Sequence, residues 1–314
     1  MKPKPLRKLR LFRAADAFLP LALLIASLRP SAADPTLLLL LSYGLTALLS
    51  LASGRALRIA FAVQPSIRSV RGSVKTALIL QTGAGLLAGL FVYIYTTRFG
   101  LPAQLGEIAR ESRAAARFLA IVGAGYLLNI EHTFYEYMYA TGDGGSAALS
   151  RGITAVLTAG GLMIAESGGA LWLPGAAAVS ALVACVTALA IGGRLKGSLN
   201  AGVVRCAPRA LVQTFLYPLA AAAILLLVPS ARALPAALAG LVLWEICRTP
   251  FRRSHLESGA FRRNLLILLA VSAAAAAAGF IPGVPAAAAE LLRGWGLMIA
   301  AAAVCSLATY APLR

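Results

Sequence analysis

The sequence predicts an all-α polytopic membrane protein of about ten transmembrane helices, and three observations carry that reading. Of 314 residues, 60% are hydrophobic and only 13% charged, with a mean hydropathy of +0.81. Average domains carry about a quarter charged residues, so lipid is the expected solvent for most of this chain. The second observation is a series of long apolar runs, and the third is the placement of the cations in the gaps between them. A net charge of +18 would also suit a nucleic-acid binder. Such a protein clusters its basic residues on one water-facing surface, however, and here they sit in short gaps.

A spanning helix needs about 20 mostly apolar residues. Ten stretches approach that: roughly 14–28, 35–54, 76–97, 115–140, 151–168, 174–192, 208–228, 233–248, 264–281 and 290–311. The first and eighth are short. Together they leave no room for a sizeable soluble domain. Helices are expected because a helix satisfies its own backbone hydrogen bonds in lipid. The basic start, MKPKPLRKLRLFR, is read as a cytoplasmic tail and not a signal peptide, because Asp16 interrupts the apolar stretch behind it and no small-x-small cleavage site follows. The expected organisation is a tail over 1–13, a six-helix unit over 14–197 and a four-helix unit over 198–314.

Ten spans place alternate loops on opposite sides. One side collects the tail, the segment 55–75, Arg151, the segments 193–209 and 248–263, and Arg314, which together hold 22 of the 29 Lys and Arg residues. The positive-inside rule then puts both termini in the cytoplasm of a plasma-membrane protein. Cys185, Cys206, Cys247 and Cys305 form no CxxC pair and read as apolar thiols.

Polar residues inside spans mark candidate sites, because ionisable groups in a bilayer are expensive. The fourth span is the richest, with Asn129, Glu131, His132, Thr133, Tyr135, Glu136, Tyr137 and Tyr139. At 100° per residue, Asn129, His132, Thr133 and Glu136 share a face, with His132 and Glu136 an i,i+4 pair; Glu131 and Tyr135 form a neighbouring pair. One reading is a substrate or proton-coupling site; the other is that these groups glue helices together near the inner interface. Arg209, Gln213 and Tyr217 recur at i, i+4, i+8 before Pro218 and either line a cavity or, for Arg209, snorkel to phosphates. Glu245 is expected to pair with Arg248, and Asp16 with Arg13. His255 and its arginine-rich loop are read as solvated or touching anionic headgroups. The segment 98–118 is read as an interfacial helix. In TGDGGS, Gly142 is expected to stop a helix and Asp143 or Ser146 to cap the next.

Motifs of soluble chemistry are missing. EHTFYE is not HExxH, no GxxxxGK[ST] occurs, and no paired aspartates offer a magnesium diphosphate site. No enzyme activity, cofactor or metal is therefore expected.

The order of features is similar to a known group. A span ends in RALRIAFAVQPSIRSVRGSVKTA; a long span and an exterior loop follow, then LGEIARESRAAARFLAIVGAGYLLNIEHTFYEYMYATGDGGSAALSRGITAVLTAGGLMIA. With the Gly-Asp turn at Ala140 to Asp143, the Gly/Ala-rich 171–197 and a restart at RCAPRALVQTFLYPLA, residues 10–220 resemble the N-terminal lobe of the multidrug/oligosaccharidyl-lipid/polysaccharide (MOP) flippase superfamily, which includes the MATE exporters. The resemblance implies a flippase exporting an amphipathic or lipid-linked solute, with proton coupling as one option and with membrane lipids and a small-molecule or lipid-linked substrate as partners. The superfamily builds two six-helix lobes; four spans after the sixth imply a shortened second lobe, which a homodimer would complete. The acid that many MATE exporters carry in helix one has only Asp16, near that helix's inner end, as a counterpart. Two other functions fit the chain: a ten-helix drug/metabolite-type transporter built from five-helix repeats, and a non-transporting membrane scaffold.

Overall fold

A computed structural model describes residues 12–63, 66–99, 114–166, 169, 171–227, 232–248 and 259–310. Among them the chain is all-helical. A 3-10 turn over Ala14–Ala17 leads into α1 (Phe18–Ser27), followed by α2 (Ala33–Leu49), α3 (Gly54–Val63), α4 (Ile67–Phe99), α5 (Ala114–Ala140) and α6 (Gly144–Glu166). The remainder is α7 (Trp172–Gly192), α8 (Gly202–Leu227), α9 (Ala233–Arg248), α10 (Gly259–Ala278) and α11 (Ala286–Tyr310).

Four helices, α4, α6, α7 and α11, are long and apolar enough to cross a membrane, and the bent pair α2 and α3 makes a fifth candidate. Rows of exposed apolar side chains, such as Leu86, Leu87, Leu90 and Phe91 on α4 and Leu182 and Val186 on α7, run along these helices. An aqueous protein rarely leaves such patches open. The protein is membrane-embedded.

The expected ten spans are thus met only in part. Each apolar stretch contains a helix, but α1 and α9 belong to the class of short apolar helices, and α5 carries polar groups over its C-terminal half. A second departure is larger. The segment 55–75, read as a basic loop, is helical over most of its described length: α3 fills 54–63 and α4 begins at Ile67. Its arginines lowered the apparent hydropathy of an amphipathic helix whose Ala56, Leu57, Ile59 and Ala60 are buried. The proposed interfacial helix over 98–118 lies mostly outside the described residues.

The join between α2 and α3 is a bend of 51°. Leu51 takes a left-handed conformation there (φ 50°), which ends a helix because a side chain at positive φ crowds its own backbone. Ser50 Oγ donates to the Ala52 carbonyl at 2.7 Å, and Ser53 Oγ accepts the Ala56 N–H at 3.1 Å, capping α3. The turn between α5 and α6 follows the expected chemistry. Gly142 has φ 89°, and Asp143 Oδ1 accepts the Ser146 N–H at 3.1 Å.

Helix α5 is the hub, packed by α2, α3, α4, α6 and α7. Residues Glu131 through Tyr139 are nine consecutive buried positions; more than two turns are enclosed on every face. At the other end of the chain, α11 packs on α8, α9 and α10 around Trp244, Leu265, Met298 and Cys305. These groups meet where α8 lies on α2 and α3, and α9 on α1. The 193–201 connection is pinned to α4 by Asn200, whose N–H donates to Thr76 Oγ1 at 2.8 Å and whose Nδ2 donates to Ser73 Oγ at 3.0 Å. Cys185 and Cys206 are half-buried free thiols and Cys305 a buried one.

Helices α2 and α5 approach closely at Gly125, where an added Cβ would collide with Ser42 Oγ and stand 2.8 Å from the Tyr43 backbone nitrogen. Gly123, on the same helix, meets nothing within 4 Å. Gly125→Ala should therefore destabilise the protein by about 1–3 kcal/mol through overpacking, whereas Gly123→Ala should be neutral or slightly stabilising. Thermal unfolding of the two purified variants checks the contrast; equal melting temperatures would refute the close contact.

Candidate functional site

The C-terminal half of α5 carries Glu131, His132, Tyr135 and Glu136, all buried. A carboxylate in that setting needs a cation within bonding distance, because an unpaired buried charge costs several kcal/mol. The partners come from three other parts of the chain. Arg13 reaches Glu136 as a fork, with Nη1 to Oε1 at 2.9 Å and Nη2 to Oε2 at 3.1 Å. Arg58 of α3 donates to the same carboxylate through Nε at 3.0 Å and Nη2 at 2.6 Å, and its Nη2 also reaches Asp16 Oδ1 at 3.1 Å. Tyr135 OH donates to that Asp16 oxygen at 2.7 Å. Arg151 of α6 holds Glu131 through Nη1. At the edge of the cluster, Arg55 Nη2 donates to Glu245 Oε1 of α9 at 2.7 Å. Planar guanidinium groups also cover the aromatics, Arg13 at 3.9 Å over the Tyr139 ring and Arg151 at 5.0 Å from that of Tyr135.

Among the described residues, four carboxylates thus meet four guanidiniums. His132 Nδ1 lies 2.5 Å from Tyr43 OH of α2, and its Nε2 faces Glu136 Oε1 at 3.6 Å. Gly54, the first residue of α3, lies directly against the imidazole ring, where no Cβ would fit. The break in the α2–α3 pair is therefore seated on His132.

Asn129 and Thr133 serve a different contact. Asn129 Nδ2 donates to the Tyr43 carbonyl at 2.8 Å and to Thr46 Oγ1 at 2.7 Å, while Thr133 Oγ1 donates to Gln81 Oε1 at 2.9 Å. These bonds join α5 to α2 and α4.

A cavity of about 60 Å³ sits between the two helix groups. Asp16, Tyr43, Arg55, His132, Arg151 and Thr214 line one part of it, and Leu19, Leu23, Leu39, Leu40, Leu128 and Leu241 line the rest. No protein family, curated protein or solved structure compared with this chain matches it. The geometry alone carries the functional argument.

Several expectations change accordingly. Of the residues on the shared face of α5, His132 lines the cavity, while Asn129, Thr133 and Glu136 are not among its lining residues. Glu131 pairs with Arg151 rather than Tyr135, and Tyr135 with Asp16. Asp16 pairs with Arg58, while Arg13 crosses to Glu136. Glu245 pairs with Arg55, and the side chain of Arg248, its expected partner, lies outside the described residues. Arg151, counted with the loop cations, is buried two turns inside α6. For Glu131 the neighbour along the helix, Tyr135, loses to a guanidinium from another helix, because a full positive charge offsets desolvation of the carboxylate better than a hydroxyl does. The side chains of Gln213 and Tyr217 lie outside the described residues, as does His255. Among the described residues, no group of three or more His, Cys, Asp or Glu is placed to hold a metal.

Glu131→Leu or Arg151→Met alone should destabilise the protein by roughly 3–5 kcal/mol, because each strands its partner's charge in the interior. The double variant Glu131→Leu/Arg151→Met should recover most of that loss. A double-mutant cycle on unfolding in detergent reads the coupling, and additive losses would show that the pair does not interact.

Proposed function

We propose that the chain is a membrane transporter of the MATE-like flippase type, exporting an amphipathic or lipid-linked solute by alternating access across the plasma membrane. In this reading ten helices span the bilayer with both termini in the cytoplasm, a six-helix lobe is followed by a four-helix lobe, and the arginine–carboxylate network is the closed cytoplasmic gate. The observation that carries it is the network itself: it ties the N-terminal stretch, α3, α5 and α6 together, with Arg55–Glu245 tying α3 to α9, beside a cavity between helix groups. Ion pairs that bridge separately moving bodies are suited to switching, since the attraction is strong when they close and water repays it when they part.

The cavity's size supports a closed state. Ligand pockets usually enclose about 300–1,000 Å³, well above the 60 Å³ found here. A span broken beside the cavity, as α2 and α3 are, is also the arrangement by which many transporters place backbone groups at a central site. The same small cavity lends some support to a non-transporting scaffold, and flux separates the two.

Reconstituted protein should move amphiphilic probes across proteoliposome membranes, and His132→Ala should lower that flux while leaving insertion intact. Absence of flux for every probe, together with a stable co-purifying partner, would favour the scaffold. The gate has its own measurement. In a background with the native cysteines replaced, Thr214→Cys should react with a membrane-impermeant maleimide about tenfold faster when Arg58→Gln is added, which corresponds to a shift of about 1.4 kcal/mol toward the open state. An unchanged labelling rate would remove the gate assignment.

A further inference from the structure

We propose that the cavity is the headgroup end of a site for an anionic amphiphile, taking a carboxylate or phosphate group at Arg151, Arg55 and Thr214 and the start of an aliphatic chain along the leucines. This rests on the transporter reading and names the substrate class that reading leaves open.

The sign of the charge comes from which groups line the space. Two arginines, Arg55 and Arg151, stand on the wall, whereas their carboxylate partners Glu245 and Glu131 are not among the lining residues. Asp16 also lines it, but its carboxylate is held by Arg58 and by the Tyr135 hydroxyl. A ligand therefore meets more positive than negative charge. Arg151 adds a specific donor, since the residue is only 4% exposed and its Nε has no hydrogen-bond partner among the described residues. A buried N–H on a guanidinium that lines a cavity is an unmet bond, and an anion meets it best. The start of α3 contributes a third term: Arg55 lies in its first turn, and the positive end of a helix favours a negative group.

The rest of the wall sets the other half of the ligand. Leu19, Leu23, Leu39, Leu40, Leu128 and Leu241 offer no hydrogen bond to a second polar group. The volume of about 60 Å³ corresponds to a handful of water-sized probes at about 10–15 Å³ each. In the closed state it holds a compact anionic group and not a whole amphiphile.

The experiment is isothermal titration of the full chain in nanodiscs of zwitterionic lipid with dodecyl phosphate, dodecanoate, dodecyltrimethylammonium, dodecanol and inorganic phosphate. Both anionic amphiphiles should bind at least about tenfold tighter than the ammonium and the alcohol, a margin of about 1.4 kcal/mol, and which of the two is tighter tells a carboxylate from a phosphate substrate. Inorganic phosphate should bind more weakly than dodecyl phosphate. Equal or tighter binding of the ammonium overturns the proposal, and so does phosphate alone matching dodecyl phosphate.

The charge-balanced variant Glu131→Gln/Arg151→Gln should lose the preference for anions. If that variant does not fold, Thr214→Leu, which narrows the cavity and changes no charge, should weaken binding of both anionic probes. Unaltered anion binding in whichever variant folds places the site elsewhere and overturns the proposal. Anion binding without flux would uphold the site and sink the transporter; flux of a cationic amphiphile without anion binding would do the reverse.

Discussion

Two carboxylates on an enclosed helix constrain this fold more than any other feature. Glu131 and Glu136 occupy a stretch of α5 that touches protein on all sides, so neither has water to solvate it. Each requires a guanidinium, and each guanidinium has to be delivered by a different segment. Arg151 fixes the rotation of α6, Arg13 draws the chain preceding α1 across the end of α5, and Arg58 turns α3 inward. The bend between α2 and α3 follows from the last of these, since a straight continuation of α2 would carry Arg58 past its target. Leu51 at positive φ and the serine caps on either side are the local means of that bend.

The network also explains why the middle of the molecule is held by polar contacts and its two ends by apolar ones. Around α5, the bonds from Asn129 and Thr133 to α2 and α4 lie one turn from the ion pairs. Around α11 the contacts are almost wholly apolar. Close packing of Gly and Ala stands in there for the hydrophobic effect, which offers little between helices already surrounded by lipid.

The sequence reveals the helical class, the apolar runs and the unusual fourth span, because all three are local properties. The Gly142 stop and the Asp143 cap are legible for the same reason: each acts within a few residues of itself. Pairing is not local. Arg13 and Glu136 are 123 residues apart, and Arg55 and Glu245 are 190 apart. Spacing along α5 suggests that His132 answers Glu136 and Tyr135 answers Glu131, but i,i+4 proximity is a weak attraction beside a full opposite charge. The loop-charge count treats every arginine as solvated, and it cannot separate Arg151, which is buried, from Arg194, which is exposed. Helix α3 escapes notice because the two arginines that give it its role also mask its hydropathy. A useful signal was nonetheless present, for with only 11 acids in the chain, any acid in an apolar run implied an equally displaced cation.

The short turn between α5 and α6 bears on how the chain enters a bilayer. Residues 141–143 alone separate the two helices, and Arg151 lies 20 positions after Glu131. As the ribosome releases them, these helices can fold back on one another as a hairpin before either is committed to lipid. An isolated Glu or Arg at the centre of an inserting helix costs about 2.5–3.5 kcal/mol. Entering together, the two side chains present the membrane with a bonded dipole in place of two ions. The arginine that looks misplaced in α6 thereby spares the helix before it an unpaired interior charge.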